Sequence, residues 1–424
     1  MRRRRRRLSI GSVLVLLLTI AAVIGTVFFL REVGRDSPAA AMGLDEIAET
    51  VGRVLLPPAA DDQQEAPTAL PPAALAQQEE AEATPAPPIG LTMSIGGLLH
   101  FDSDVQASDS HQSTPQDILA PIQAAFHGDI NIAGFDQLLV PPDEAGTDLL
   151  VPDTVLNQLD ALGLNALVVT TERLFDRGVE QAAATAAQMA QRFITPIGFG
   201  ETRTAFRRVN GLSLAWLHAG SRLSNAGEKA TTAEQRAALI HPWDPDALGR
   251  DISTLKRQHD LVIVSLDWDI GRAQSPTPAQ QTLAHRLAQE GADIILGYGG
   301  ERVQEVEVYQ LNQADDEPRD VLIGYSMGTL LTEERNKRDN LAGLVLQLDM
   351  LIRPDGSGMQ LRDLTYTPTY VRKWNEGSKV RFAVLPSNQP APQDMSRSQR
   401  EAMTRALELI DAAMRVTRSL TVTN

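Results

Sequence analysis

From Gly90 onward the chain is punctuated by short, nearly continuous apolar runs, each bounded by turn-forming residues. Leu91–Leu99, Asp129–Ala133, Ala166–Thr170, Ser213–Leu217, Leu261–Leu266 and Asp293–Gly297 are the clearest. Runs this short, rich in Val, Ile and Leu, fit strands buried on both faces better than helices. Helical patterns separate several of them. Asp153 is placed to cap one helix that Gly163 closes, and Thr277 before Pro278 opens another that Gly291 ends. Strands alternating with helices predict an α/β sandwich with a largely buried sheet. Val303–Tyr309, Val321–Tyr325 and Leu344–Leu351 follow with little helix between them, so the second half is expected to be antiparallel or mixed. The expected domain spans residues 90–390, and 391–424 reads as a C-terminal amphipathic helix, over Ser396–Arg415, with a tail.

A different pattern precedes this domain. Leu8–Leu30 is uncharged and mostly apolar, and six arginines, Arg2–Arg7, lie directly before it. A helix needs roughly 20 such residues to cross the hydrocarbon core. Basic residues stay on the cytoplasmic side, so residues 1–7 form a cytoplasmic tail, residues 8–30 a transmembrane anchor in the lipid bilayer, and the rest is extracytoplasmic. The rival is a cleavable signal peptide ending near Ala39–Ala41, but its apolar core would be only about 7–15 residues. Residues 31–89 are rich in Ala, Pro and acidic side chains, as in Pro57-Pro58 and Pro71-Pro72, and read as a disordered linker.

Charge narrows the function. The net charge is −15 despite the arginine cluster, so the exported part is more acidic still. That argues against nucleic acid or an anionic polymer held by general electrostatics. The chain contains no cysteine, which excludes disulfides, thiolate metal sites and cysteine nucleophiles.

The second half carries a specific order of residues. LVIVSLDW (Leu261–Trp268) is followed by Pro276, Gln280 and Ala284. Then come GADIILG (Gly291–Gly297), Val303-Gln304 and GYSMG (Gly324–Gly328). Pro368, Tyr370, Val371 and Val384-Leu385-Pro386 close the series, and Gly96, Asp129, Asp176 and Gly178 precede it. This order resembles the CapA family of capsule and poly-γ-glutamate synthesis proteins, over roughly residues 90–387. The resemblance implies a metallophosphatase-like α/β sandwich with mixed sheets and metal ligands on loops at the strand ends.

The positions that would carry the chemistry depart from the family pattern. Its first Gly-Asp becomes Gly96-Gly97, and the Asn and Glu of its second motif become Gly134 and Asp136. Its Asn-Asn-His becomes Thr171-Glu172-Arg173, and its His-Trp-Gly becomes Asp267-Trp268-Asp269. Tyr298-Gly299-Gly300-Glu301 replaces His-His-Pro-His, and the last motif ends Gly328-Thr329-Leu330 after Ser326. Metal binding needs neutral imidazoles or carboxylates that converge, and none of these positions is a histidine.

Two readings of the altered loops compete. Asp136, Glu172, Asp267, Asp269 and Glu301 could converge, and Asp136, Glu172, Asp267 and Glu301 could then hold a divalent cation (Mg, Mn or Ca) through oxygens. Alternatively Arg173 enters the cluster and neutralises it as a salt-bridge network, the favoured reading, since a guanidinium beside a dication is unfavourable.

Three local motifs have blander readings. His100, Asp102 and Asp104 form an H-x-D-x-D pattern that could supply ligands or simply end a solvated strand. Gly324–Gly328 matches a G-x-S-x-G nucleophile elbow at Ser326, yet all seven histidines precede Ser326, against the order a hydrolase triad needs. Trp268 reads as strand-end packing rather than a ligand wall.

The functional expectation is a membrane-anchored, extracytoplasmic accessory in the synthesis or export of a surface polymer, a pseudoenzyme whose partners are polymer-synthase or export subunits. An active divalent-metal hydrolase or amide-bond enzyme, and a membrane-tethered interaction domain without a polymer role, are the alternatives.

Overall fold

The computed structural model describes residues 87–109, 118–268, 271–312, 318–333, 341–354, 357–414 and 417–422. The apolar run 8–30, the linker up to residue 86 and Asp269 lie outside the described residues. Among the described residues no helix is long and apolar enough to cross a membrane.

Two sheets form the body. The first runs β16 (Lys379–Pro386), β15 (Met359–Glu376), β14 (Ala342–Ile352), β1 (Ile89–Leu99), β2 (Ile130–Phe135), β5 (Ala166–Val169) and β6 (Thr195–Ile197), with β13 (Thr329–Leu331) also paired to β1. The second runs β17 (Thr417–Val422), β11 (Val306–Asn312), β12 (Arg319–Gly324), β10 (Ile294–Tyr298), β9 (Leu261–Asp267), β8 (Leu212–Gly220) and β7 (Thr204–Val209). β3 (Leu138–Val140) and β4 (Leu150–Pro152) make a separate parallel pair. The helices are α1 (Ser103–Asp109), α2 (Val155–Ala161), α3 (Gly178–Gln191), α4 (Asn225–Ala230), α5 (Ala233–Leu239), α6 (Pro245–Lys256), α7 (Pro278–Gln289) and α8 (Arg397–Ala413).

This is a mixed α/β fold, as the alternation of strands and helices required. β1, β2, β5 and β6 are parallel in one sheet, and β8, β9, β10 and β12 in the other. The later strands β14, β15 and β16 are antiparallel, the mixed second half that their helix-poor sequence called for.

Strand periodicity sorts the core. In β9, Leu261 and Ile263 join the large apolar cluster that contains residues of both sheets. Their neighbours Val262, Val264 and Leu266 face the other way, against Leu248, Ile252 and Leu255 of α6 and Ala284, Leu287 and Ala288 of α7. Successive side chains on a strand point to opposite faces, so a strand covered on both sides must be apolar throughout.

Two local expectations shift. The N-cap of α2 is Thr154 with no side-chain cap bond, and Asp153 contributes only its carbonyl, to Leu156 N–H at 3.1 Å. Beyond residue 390, α8 lies against β14 and β15, and β17 extends the second sheet alongside β11, so this segment belongs to the sandwich rather than trailing from it. α7 begins as the sequence indicates: the Thr277 side chain accepts from Gln280 N, and Gln280 bonds back to the Thr277 N–H.

Candidate functional site

The parallel strands of both sheets end at one edge, where glycines allow the sheets to approach. A Cβ on Gly134 would lie 2.7 Å from the Tyr298 ring, and the Tyr298 hydroxyl donates to Gly96 O at 3.4 Å. Thr171, just past β5, donates its N–H to Asp267 Oδ2 at 3.1 Å across the two sheets. Asp136 follows β2, Glu172 follows β5, Asp267 ends β9 and His100 follows β1.

Three of the acids singled out in the sequence come together here. Asp267 is buried, and burial pushes its carboxyl up to about 6, with the carboxylates of Glu172 and Asp136 adding to the rise and the N–H groups of Thr171 and Glu172 opposing it. The cations that answer these acids come from elsewhere than expected. His100 Nδ1 donates to Asp136 Oδ1 at 2.7 Å, and its Nε2 lies 3.4 Å from Asp102 Oδ1. Burial opposes its protonation, but Asp136 and Asp102 outweigh burial and the nearby Arg173, raising His100 to about 9. Glu172 pairs with Arg222 Nη2 at 2.6 Å.

Arg173 does not neutralise the cluster. Its guanidinium turns to Asp176, at 3.8 Å, and donates to Asp148 O at 3.2 Å. Three residues along the same loop, Asp176 is simply the nearer carboxylate. Glu301 pairs with Arg272 at 3.6 Å. Asp104 departs from the H-x-D-x-D set to meet Lys373 Nζ at 2.7 Å, because α1 begins at Ser103 and breaks the extended spacing.

Trp268, Ser326 and Gln280 are engaged by the fold itself. Trp268 is buried, donates Nε1–H to Tyr325 O at 2.8 Å and stacks on the Tyr325 ring. Ser326 is buried and donates its hydroxyl to Arg302 O at 2.7 Å, so the G-x-S-x-G segment is a strand-end turn with its serine engaged. Gln280 donates to Gln304 Oε1 at 3.1 Å, which ties the start of α7 to the loop after β10.

Two contributors escaped the sequence reading. Nothing local marks Arg222, 50 residues from Glu172. His218 had a signal, a polar side chain inside the apolar run Leu214–Ala219. Its Nε2 bonds Thr171 Oγ1 and its Nδ1 bonds Ser265 Oγ, each at 3.1 Å, which fixes the residue that holds Asp267.

The residues present do not fit the family's metal set. Both ring nitrogens of His100 face carboxylate oxygens. A Cβ at Gly97 would lie 2.5 Å from Met327 O and 2.7 Å from Gly328 O, and one at Gly299 would lie 2.0 Å from Asp267 Oδ1. Among the described residues no group of three or more His, Asp or Glu is arranged to hold a metal ion.

The comparisons with known proteins agree on ancestry. The chain is 24% identical over 197 residues to the PGA biosynthesis protein CapA of Bacillus subtilis, covering 45% of this chain and 48% of that one. It is 26% identical over 192 residues to the capsule biosynthesis protein CapA of Bacillus anthracis, covering 43% and 44%. A Mycobacterium tuberculosis protein described as a probable polyglutamine synthesis accessory protein is 26% identical over 173 residues, covering 38% and 45%. The chain thus spans about half the length of the curated relatives it matches. The family model for the bacterial capsule synthesis protein PGA_cap matches residues 92–334, from β1 through the strand-end turn at Ser326, and the chain belongs to that family.

Proposed function

We propose that this chain is a non-catalytic accessory protein in the synthesis or export of a capsule or poly-γ-glutamate type surface polymer. Residues 8–30 anchor it in the bacterial membrane with the N-terminus cytoplasmic, residues 31–89 act as the spacer, and the metallophosphatase-like domain works outside the cytoplasm beside polymer-synthase or export subunits. Family membership supports the polymer role, and one matched relative is itself described as an accessory protein.

One observation carries the non-catalytic part. Three strand-end acids are answered by cations of the chain itself, Asp136 by His100, Glu172 by Arg222 and Glu301 by Arg272, and the fourth, Asp267, accepts from the Thr171 N–H. Among the described residues such pairs leave no group of three carboxylates arranged for a dication, and the Ser326 hydroxyl is engaged.

Deleting the gene in its native host and measuring the amount, length and attachment of surface polymer tests the role. Loss or shortening of polymer, restored by the wild-type gene, is expected, together with co-purification of a synthase or export subunit. Unchanged polymer sinks the role. Hydrolysis of γ-glutamyl peptides by the purified protein sinks the non-catalytic assignment. Alkaline phosphatase fused after Gly90 is expected to be active, and an inactive fusion that still inserts overturns the orientation.

A further inference from the structure

The parallel strands start at the edge opposite the strand-end site, and the surface there is of another kind. β1, β2, β5 and β6 begin side by side. β8 and β9 begin at the same edge, because Asn210, in the turn before β8, donates from Nδ2 to Gly90 O at the start of β1. The chain therefore enters the domain here, where β1 opens at Ile89.

Phe193 and Phe206 are the exposed large apolar side chains among the described residues, 91% and 60% exposed. Both lie toward this edge. Phe193 sits between the end of α3 and the start of β6. Phe206 is on β7, the outermost strand of its sheet, and its ring stacks on His259, in the loop leading into β9. Asn165 joins the two segments. Its carbonyl accepts from Thr195 N, two residues past Phe193, and from Arg207 Nη1, next to Phe206, each at 3.1 Å.

Phe193 is unfavourable twice over. Its φ is 58°, and it directly follows Arg192, the C-cap of α3, where glycine or asparagine is the usual solution. Left-handed backbone strains a bulky aromatic residue, and this ring also stands in water. The other such non-glycine residue among those described is Asn210, a type that tolerates the conformation. Strain and exposure combined at one residue point to a use outside the fold.

Charge narrows what that use is. The chain is acidic overall, at −15. Exposed arginines nevertheless accompany the rings: Arg192 beside Phe193, Arg208 two residues from Phe206 on the same strand face, and Arg257 two residues before His259. Arg208 stands close enough to His259 to disfavour its protonation. The carboxylate of Asp260, next to His259, is held by the N–H and hydroxyl of Ser213. Salt screens exposed charges beyond about 8 Å, so the local arginines outweigh the distant acids at this surface.

We propose that this edge rests on the bilayer, with Phe193 and Phe206 inserted at headgroup depth and Arg192, Arg208 and Arg257 against anionic lipid headgroups. The inference rests on the membrane anchor at residues 8–30 proposed above. Two rings and a few charges bind a bilayer weakly and reversibly. The anchor and spacer make the encounter intramolecular, so a weak contact suffices. A domain seated in this way turns the strand-end site away from the lipid.

The full chain, which has no cysteine of its own, is reconstituted into vesicles of mixed phosphatidylcholine and phosphatidylglycerol. A nitrobenzoxadiazole label is attached through Gln191→Cys, at the end of α3, or through Lys229→Cys in α4, which follows the strand end of β8. Lipids with a nitroxide on the headgroup are expected to quench the label at 191 several-fold more than the label at 229. Phe193→Asn, which suits left-handed backbone, is expected to keep or raise Tm while reducing that difference, and adding Phe206→Ser is expected to abolish it. Omitting phosphatidylglycerol is expected to weaken the quenching at 191. Equal quenching of the two labels in the otherwise wild-type chain overturns the inference and leaves the rings for a protein partner. So does quenching at 191 that survives Phe193→Asn with Phe206→Ser. A chain that does not float with the vesicles removes the anchor and this inference with it, whereas a floating chain with equally quenched labels removes this inference alone.

Discussion

Thr171 N–H reaches Asp267 Oδ2 at 3.1 Å, and with that bond the loop after β5 in one sheet is tied to the last residue of β9 in the other. The same threonine holds His218 through its hydroxyl. One residue therefore links a buried acid, a buried imidazole and both halves of the sandwich, and the effects of changing each follow from it.

Asp267→Asn is expected to stabilise the protein at neutral pH. The folded-state pKa of Asp267, about 6, lies above its ordinary 3.8. Between those values the folded state keeps a proton that the unfolded chain has released, so stability falls as pH rises through the window and the full cost applies above it. Asparagine removes the charge and keeps an oxygen for Thr171 N–H. The gain is about 1–3 kcal/mol at pH 7.5 and shrinks toward pH 4, as measured by thermal melts of both proteins across that range.

His218→Gln is expected to blunt acid sensitivity. Burial, reinforced by His241, pushes His218 down to about 3. A group depressed in this way contributes stability above its unfolded pKa of 6.5 and loses it as pH falls toward 3. The variant costs about 1–3 kcal/mol at pH 7.5 through imperfect hydrogen bonds, but its denaturation midpoint varies less than wild type between pH 6.5 and pH 4.

Trp268→Phe is expected to cost about 1–3 kcal/mol, because Tyr325 O loses its buried donor while the stacking area largely remains. Trp268→Ala removes the packing as well and costs about 3–5 kcal/mol. Urea titrations that show no difference between these two variants would contradict the packing role.

Glu172→Ala and Arg222→Ala act at a half-exposed pair, with side chains 43% and 52% exposed. Each is expected to change stability by less than about 1 kcal/mol. Complementation of the deletion strain by these two variants then reports on the strand-end surface itself, since their folds are intact. On the accessory reading, polymer level falls if partner subunits dock at this rim, and co-purification falls with it.

Much of the architecture was legible because it is written in local pattern. The continuous apolar runs at β1, β9 and β10 required burial on both faces, and the Thr277–Gln280 capping box marked the start of α7 without reference to the rest of the chain. The site was legible only as a set of positions. Asp136 and Glu172 follow the neighbouring parallel strands β2 and β5 of one sheet, and Asp267 ends β9 of the other, so their meeting depends on how the two sheets face each other. Which cation answers which acid depends on loop paths. Arg173 takes the carboxylate three residues away, and Arg222 reaches Glu172 from a loop that no motif touches. His100 stood in a recognisable pattern, yet the helix starting at Ser103 swung Asp104 away and left Asp136 as the better partner.

The backbone carbonyls of Met327 and Gly328 fill the space beside Gly97. An aspartate placed at residue 97 would collide with main chain rather than with a side chain that could swing aside. The turn at 326–328 would have to be re-routed first, and that turn is anchored by Ser326 and by the parallel pairing of β13 with β1. A carboxylate designed into residue 97 should therefore follow a redesign of the turn rather than precede it.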